Sequence, residues 1–260
     1  MLAAERWHKI VQTVNERGSI RVSELGELCG VTDETIRRDL DKLEQEGKLL
    51  RSHGGAVSVS EAQQEIPYVV RETTNAEQKM RIANEAVCHI DEHDRIILDA
   101  SSTAWYMAKR LANRPLVVVT NSLKVAMELS GKDKIEVVTI GGELSRGSLS
   151  LVGPAALRAL EAYRVRKAFV SCKGLHVERG VSESSESQAA VKRLMLAVSE
   201  HAYLLADSSK LGQQSFTFVS PVAAFARVIT DSGVNRSEAA RQAVEQLQEQ
   251  HIQVTVVNDN

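Results

Sequence analysis

The clearest structural signal in the chain is the stretch TDETIRRDLDKL, residues 32–43. Ile36, Leu40 and Leu43 recur at the spacing of one helix face, so the stretch predicts an amphipathic helix with that stripe buried. Thr32 is a good N-cap, and the acidic residues that follow it suit the positive end of the helix dipole. The opposite, polar face of the helix carries four side chains that can donate to DNA: Thr35, Arg37, Arg38 and Lys42.

The flanking residues predict a helix-turn-helix with a wing. An apolar stripe precedes it, Ser23 can cap a second helix from Glu24 to Cys29, and Gly30 makes the turn into the third helix. Residues 48–57, KLLRSHGGAV, predict a strand, a glycine tip and a return strand. Such an arrangement is typical of a unit that reads the major groove. Two side chains of the hairpin are placed to reach phosphates: Arg51 and His53. Ser23 and Thr32, at the starts of the two helices, are further candidates for DNA contacts.

The charge of this region leaves DNA binding open. Residues 1–58 carry nine Lys and Arg against ten Asp and Glu, so the region is not basic overall. An Arg-Arg pair on an amphipathic helix is also commonly a solvated face. The whole chain of 260 residues has a net charge of −2. That excludes a protein that is basic throughout, but it does not exclude a local basic patch.

The composition excludes several classes of protein. The three cysteines are widely spaced and odd in number, so we expect neither a zinc site nor a disulfide framework. No apolar run is long enough to span a bilayer or to form the core of a signal peptide. We therefore expect a cytoplasmic protein with reduced thiols and no membrane partner. Aromatic residues make up only 4% of the chain, which argues against a stacking platform for single strands.

Beyond residue 75 short aliphatic runs alternate with helical stretches. Continuous β-branched runs are typical of strands that are buried on both faces, hence of a mostly parallel α/β sheet. The runs are residues 96–98, 116–119, 137–140, 168–170, 202–206, 227–230 and 253–257. We predict a winged helix-turn-helix domain at 1–58, a linker at 59–75 and an α/β domain at 76–260.

Polar groups follow several of these runs at the point where each strand ends. Ligands of open α/β sheets bind beyond the carboxyl ends of the strands, so these groups are expected to meet at one edge. Ser101, Ser102 and Thr103 open a helix whose amides and hydroxyls suit a phosphate, and Lys210 adds a cation. This chemistry fits a phosphorylated sugar. The other candidate contacts are Asp99, Asn121, Gly141, Gly142, Lys173, Gly174 and Asp207.

Both parts of the chain resemble one protein family. VSEL at 22–25, VTDETIRRDLDKL at 31–43 and HGGA at 53–56 are similar to the DNA-binding domain of the DeoR (GlpR-like) family of bacterial transcription regulators. The match is ungapped across the TIRRDL core. The sensor domain of that family resembles a second set of stretches: LDASST at 98–103, VTNS at 119–122, IGGEL at 140–144, KG at 173–174, AAVKR at 189–193 and ADSSK at 206–210. The resemblance covers almost the whole chain.

The resemblance implies a sensor fold related to ribose-5-phosphate isomerase and CoA transferases. It also implies a sugar phosphate as inducer and the repression of a sugar catabolic operon. A single winged helix contacts one half-site, so we expect a homo-oligomer, either a dimer or a tetramer. Two residues depart from the family pattern, because Ser101 stands where Gly is common and Gln188 where Glu is common. Glu183 and Glu186 are then candidates for recognising sugar hydroxyls.

A second function stays open, namely a sugar-phosphate isomerase-like enzyme with an accessory DNA-binding domain. Isomerisation needs a carboxylate base near a phosphate clamp, and Glu183, Glu186 and Asp207 keep that formally possible. Cys172 is more simply a packing residue. No pair of histidines has the spacing of a metal site. We therefore expect a regulator with no catalytic residue, no metal and no cofactor.

Overall fold

The chain forms two compact units, Met1–Glu65 and Ile66–Asn260. The computed structural model describes residues 2–17, 19–46, 48–52, 54–58 and 66–258. Within these ranges no helix combines the length and apolar character needed to cross a bilayer.

The amino-terminal unit contains three helices and a small antiparallel sheet. The helices are α1 (Ala3–Arg17), α2 (Val22–Cys29) and α3 (Asp33–Gln45). The strands are β1 (Ser19–Arg21), β2 (Leu49–Ser52) and β3 (Gly55–Ser58), in the order β1-β3-β2. The winged helix-turn-helix is therefore present. The strand β1 pairs with β3, which lies more than thirty residues further along the chain.

The buried stripe of α3 is the one that the periodicity predicts. Ile36, Leu40 and Leu43 are all 0% exposed, and Thr32 caps the helix by accepting the N–H of Thr35 at 3.4 Å. The prediction that Ser23 caps α2 is wrong. That helix begins two residues earlier, at Val22, with Arg21 at its N-cap, where no side chain makes a capping bond. Since β1 runs directly into α2, Ser23 lies in the first helical turn instead.

The carboxy-terminal unit contains all the remaining strands. They are β4 (Arg95–Leu98), β5 (Leu116–Thr120), β6 (Ile135–Thr139), β7 (Glu143–Ser145), β8 (Ser150–Val152), β9 (Val165–Ser171), β10 (Gly174–His176), β11 (Gly180–Glu183), β12 (Ser199–Leu205), β13 (Thr217–Ser220), β14 (Arg227–Asp231) and β15 (Gln253–Val257). Seven of them form one sheet in the order β15-β14-β12-β9-β4-β5-β6. Every neighbouring pair in it is parallel. Each of the seven aliphatic runs forms or overlaps one of these strands, which confirms the predicted α/β class.

Helices cover both faces of this sheet. They are α4 (Tyr68–Thr73), α5 (Ala76–Val87), α6 (Ser102–Arg110), α7 (Leu123–Leu129), α8 (Gly153–Glu161), α9 (Glu186–Ala197) and α10 (Glu238–Glu249). One apolar cluster joins α4–α7 to one face, and another joins α8–α10 to the opposite face. Residues 66–75 lay within the linker that the sequence indicated. In the structure they open this unit and contain α4.

The strand order reverses at the middle of the sheet. From β4 the chain moves outward through β5 and β6, whereas from β9 it moves the other way through β12, β14 and β15. The strands β4 and β9 are therefore neighbours at a topological switch point. In open α/β sheets such a point leaves a crevice at the carboxyl ends of the strands, where ligands bind.

Candidate functional site

Asp39 of the TIRRDL core is an anchor between helices. Its carboxylate is 6% exposed. Arg6 donates to it through Nε at 2.5 Å and Nη2 at 3.2 Å, and Trp7 donates through Nε1 at 2.6 Å. The hydrogen bond to Asp39 raises the pKa of Arg6. Since both donors lie on α1, this buried group fixes α1 against α3. Sequence reasoning missed it, and the only local signal is an acidic residue beside the buried stripe.

The two arginines of the core project away from the unit. The side chains of Arg37 and Arg38 are 54% and 80% exposed. Each lies near the carboxylate of Glu34, at 3.8 Å and 3.6 Å respectively. Exposed pairs of this kind contribute little, so both guanidinium groups remain available to an outside acceptor.

Two further candidates lie on the same helix. The hydroxyl of Thr35 is 3.0 Å from that of Thr32, which is exposed at the helix start. The ammonium of Lys42 lies 3.9 Å from the centre of the Trp7 ring and stays exposed. The structure therefore places all four predicted side chains of α3 away from its buried stripe.

The remaining candidates for DNA contacts in the amino-terminal unit have different surroundings. Ser23 is exposed in the first turn of α2. Arg51, on the wing, pairs with Asp41 of α3, and its N–H donates to Glu44 Oε1 at 2.9 Å. Arg51 thus ties the wing to α3. His53 lies outside the described residues.

Three ionic side chains are buried together at the switch point of the carboxy-terminal unit. Asp99 follows β4, Glu183 ends β11 and Lys192 lies on α9. Lys192 Nζ is 3.0 Å from Asp99 Oδ2 and 2.5 Å from Glu183 Oε1. Burial acts to lower the pKa of Lys192, but the two carboxylates outweigh it and raise the pKa above its ordinary value. The group is an internal ion triad, and sequence reasoning missed its lysine.

Ser171, the last residue of β9, connects this triad to a second lysine. Its N–H donates to Asp99 Oδ2 at 2.9 Å, and its hydroxyl accepts from Lys210 Nζ at 2.9 Å. Lys210 Nζ also lies 3.3 Å from Asp207 Oδ2. Burial acts to raise the pKa of Asp207, but Lys210 and the hydroxyl of Ser209 lower it to about 2. The ends of β4, β9 and β12 are thus joined by one polar network.

The start of α6 adds donors beside this network. The N–H of Ser101 donates to Asp99 Oδ1 at 3.1 Å, and its hydroxyl caps the helix by accepting the N–H of Ala104 at 3.0 Å. Ser102 and Thr103 form the first turn, whose N–H groups have no acceptor within the helix. The hydroxyl of Thr103 is buried and has no partner in the described part of the chain. The turn is therefore suited to an anion.

Asn121 lies at the end of β5, next to β4 in the sheet. Its Nδ2 donates to the carbonyl of Leu151 at 3.2 Å. Its Oδ1 is buried and lacks a partner among the described residues. Leu151 belongs to β8, so Asn121 fixes the β7–β8 hairpin against the end of the sheet and still has one acceptor to offer.

Helix α9 joins that hairpin to the ion triad. Gln188 Nε2 donates to the hydroxyls of Ser148 and Ser150, at 2.8 Å and 2.7 Å. Lys192 lies one turn further along the same helix face. A glutamate at position 188 has no donor for these hydroxyls when ionised, so the amide suits this serine pair.

The predicted glycines have explanations in the backbone. A Cβ on Gly142 would lie 2.6 Å from the carbonyl of Val152, and one on Gly174 would lie 2.6 Å from that of Gln213. Gly141 is exposed in the same turn as Gly142. Close backbone approach therefore accounts for Gly142 and Gly174 without a ligand. Lys173 is half-buried, and its N–H donates to Ser182 at 2.9 Å.

The pKa values of Cys172 and Asp207 do not suit a nucleophile and a general base at neutral pH. Burial raises the pKa of the Cys172 thiol to about 12, so at neutral pH it carries no nucleophilic thiolate. Asp207, with a pKa of about 2, is a weak general base. Among the described residues no three His, Cys, Asp or Glu side chains lie close enough together to hold a metal ion.

Models of two protein domains match the chain. The DeoR-like helix-turn-helix domain matches residues 6–62, and the DeoR C terminal sensor domain matches residues 74–232. The chain belongs to the DeoR family of transcriptional regulators. The DeoR family resemblance of both sequence regions is thereby confirmed.

Similar proteins share this arrangement over nearly their full length. The uncharacterized HTH-type transcriptional regulator YulB of Bacillus subtilis is 51% identical, with 99% of this chain and 98% of that protein covered. The L-fucose operon activator of Haemophilus influenzae is 36% identical (85% and 89% covered), and the repressor GlcR of B. subtilis is 34% identical (91% and 92%). The chain is a DNA-binding transcriptional regulator and not an enzyme.

Among solved structures, ribose 5-phosphate isomerase A of Methanocaldococcus jannaschii is similar with a TM-score of 0.40 and 19% identity. The match covers 53% of this chain and 55% of that one.

Proposed function

We propose that this DeoR-family regulator binds a phosphorylated sugar at the carboxyl ends of β4, β9 and β12, and that the ligand changes its occupancy of operator DNA. The observation that carries this proposal is the difference between two lysines on either side of Ser171. Lys192 faces two carboxylates within 3.0 Å. Lys210 faces one, Asp207, among the described residues, so its ammonium keeps a donor for an incoming anion.

The phosphate is assigned to Lys210 and the first turn of α6. The N–H groups of Ser102 and Thr103 and the free hydroxyl of Thr103 supply neutral donors at the positive end of a helix dipole. The sugar hydroxyls are assigned to Asn121 Oδ1 and to the carboxylates Asp99 and Glu183. Buried polar atoms without a partner are rare, so Thr103 and Asn121 support a polar ligand at this edge.

The DNA contacts are assigned to the exposed face of α3. Arg38, Thr35 and Lys42 face the major groove in this proposal, with Arg37 and the exposed Ser23 and Thr32 at the phosphates. Arg51 positions the wing, and His53 is retained as a predicted phosphate contact. One such head covers one half-site, so the active form is a dimer or tetramer with half-sites spaced by multiples of about 10.5 base pairs.

The regulator acts in the cytoplasm as a repressor of a carbohydrate catabolic operon. A sugar phosphate relieves repression by favouring a state in which the paired heads no longer match the operator spacing. A ligand can do so only by its difference in affinity for the two states. The named relatives include both an activator and a repressor, so the sign needs its own measurement.

Thermal unfolding with a panel of sugar phosphates tests the proposal. A cognate sugar phosphate raises the melting temperature because it binds the folded sensor, whereas the matching unphosphorylated sugar leaves it unchanged. The same sugar phosphate then lowers affinity for operator DNA. Equal shifts with both sugars, or no shift with any phosphate, would refute the phosphate site. Tighter operator binding in the presence of the sugar phosphate would mean that the ligand strengthens DNA binding, and it would leave the phosphate site unaffected.

A further inference from the structure

The first segment of the sensor unit is tied to the candidate effector site. This segment, residues 66–75, is here named the strap. At its end Asn75 Nδ2 donates to Asp207 Oδ1 at 3.0 Å and to Ser209 Oγ at 3.2 Å. At its start the N–H of Tyr68 donates to the carbonyl of Gly147 at 2.7 Å. Gly147 lies in the hairpin that Asn121 holds, so the strap connects two sides of the site.

Helices α5, α6 and α7 hold the middle of the strap. Lys79 Nζ donates to the carbonyls of Arg71 and Thr74 at 2.6 Å and 2.5 Å. Tyr106 donates its hydroxyl to the carbonyl of Glu72 at 3.0 Å. Lys124 Nζ lies 3.1 Å from the carboxylate of Glu72. These contacts pack the strap against the rest of the carboxy-terminal unit.

One polar atom of the strap is unsatisfied. Tyr68 is 2% exposed, and its hydroxyl has no hydrogen-bond partner among the described residues. Its ring and that of Trp105, in the first half of α6, flank the ammonium of Lys124 at 5.4 Å and 5.1 Å. Burial raises the pKa of Tyr68, and the carboxylates of Glu72 and Asp99 raise it further. The phenol therefore lies in the electrostatic range of Asp99 at the switch point.

The Tyr68 hydroxyl is one of several buried polar atoms without a hydrogen-bond partner among the described residues. Thr103 Oγ1, on α6, and Asn121 Oδ1, beside the hairpin, are also buried without a partner in the described structure. Thr103 lies on α6, the helix whose Tyr106 donates to the strap, and Asn121 holds the hairpin that contains Gly147. A buried donor without an acceptor destabilises a protein, and natural structures pair nearly all of them. A polar ligand at this edge of the sheet would supply hydrogen-bond partners to these three atoms.

We propose that the Tyr68 hydroxyl donates a hydrogen bond to an oxygen of the bound sugar phosphate, so that the strap is itself part of the effector site. This inference rests on the proposed function. In the chain the strap directly follows the amino-terminal unit, Met1–Glu65. A ligand that binds Tyr68 therefore contacts the first described segment that follows the DNA-binding unit in the sequence.

The experiment compares Tyr68→Phe with Tyr106→Phe. Each substitution removes one phenol oxygen, but only Tyr106 loses a bond to the protein, the one to Glu72. Binding is measured by titration calorimetry with ribose 5-phosphate, glucose 6-phosphate, fructose 1-phosphate and inorganic phosphate, and melting temperature is measured without ligand. We expect Tyr68→Phe to melt at or above the parent temperature and to bind the best sugar phosphate at least 10-fold more weakly. Tyr106→Phe melts lower and binds within 3-fold of the parent.

The outcomes separate this inference from the proposed function. If the parent binds a sugar phosphate and Tyr68→Phe binds it equally well, the Tyr68 contact is refuted while the site stands. A lower melting temperature of Tyr68→Phe without ligand would show that the hydroxyl already has a partner, and would also refute the contact. If none of the four compounds binds the parent, the proposed function and the contact fail together.

Discussion

Replacing Lys192 with Met is the sharpest test of the buried triad. The substitution keeps the length of the side chain and removes its charge. It leaves two carboxylates, Asp99 at 0% and Glu183 at 4% exposure, without their shared cation. Asp99 keeps two backbone donors, Ser101 at 3.1 Å and Ser171 at 2.9 Å. Glu183 keeps only the N–H of its neighbour Ser184, at 3.3 Å, among the described residues.

The expected loss of stability depends on how many donors each carboxylate keeps, and Glu183 keeps fewer than Asp99. Removing one partner of a buried ion pair costs about 3–5 kcal/mol, because the remaining charge has lost its solvation and its partner. Most of this destabilisation comes from the unpaired Glu183. Glu183→Gln in the Lys192→Met background should therefore restore at least about 1 kcal/mol of the free energy of unfolding. The two substitutions share a contact and should be clearly non-additive in a double-mutant cycle.

Lys167 offers a matched control at the opposite end of β9. Its ammonium is also buried, 2.7 Å from Asp94 and 2.8 Å from Asp91. Arg166 lies 3.2 Å from the same Asp94 and stays behind when Lys167 is removed. Lys167→Met should therefore destabilise less than Lys192→Met, and it should leave sugar-phosphate binding unaffected because it lies at the amino ends of the strands.

Scanning calorimetry of the sensor transition measures these differences. For a unit of this size about 1 kcal/mol corresponds to roughly 2–4 °C, so Lys192→Met should melt about 6–20 °C below the parent. A loss of less than about 1 kcal/mol, or additive effects of Lys192→Met and Glu183→Gln, would refute a desolvated ion triad.

Three further predictions concern DNA, ligand and pH. Arg38→Ala should weaken operator binding by about 1–3 kcal/mol at fixed salt and leave the melting temperature unchanged, because the side chain is exposed; unaltered binding by the folded variant would contradict the assignment of α3. Lys210→Ala should abolish the rise in melting temperature with a sugar phosphate; a response like that of the parent would mean that the phosphate site is wrongly placed. The folded-state pKa of Asp207, lowered from 3.8 to about 2, means that its pairing stabilises the fold above pH 3.8 and that this contribution is lost as pH falls through 2. Asp207→Asn should then be about 2 kcal/mol less stable than the parent at pH 7 and no different near pH 2, as measured by urea unfolding. A constant difference across that range would exclude the charge of Asp207 as its cause.

The local elements of this protein were readable in its sequence. Runs such as residues 116–119 and 227–230 form buried parallel strands, because a strand covered on both faces needs apolar side chains at every position. The stripe of α3 likewise follows from residues three and four apart. These signals depend on neighbours within a few positions, so no knowledge of the rest of the chain is needed to see them.

The expectation of a shared polar edge was also within reach, since parallel strands end on the same side. Which residues meet there was not. Lys192 and Asp99 are more than ninety residues apart in the chain, and Asn75 and Asp207 are 132 residues apart. Those contacts depend on the strand order, in which β4 and β9 become neighbours although four other strands lie between them in the chain.

The sequence by itself determined the class of each element, the winged helix-turn-helix, the parallel sheet and the edge of the sheet at which polar side chains gather. Only the tertiary structure decided that Lys192 is paired with two carboxylates while Lys210 keeps a donor, that Asp39 is an anchor, and that the buried Tyr68 hydroxyl lacks a partner among the described residues. The physical reason is that periodicity is a local property of the chain. The charge, burial and hydrogen bonding of a side chain depend instead on distant segments that packing brings together.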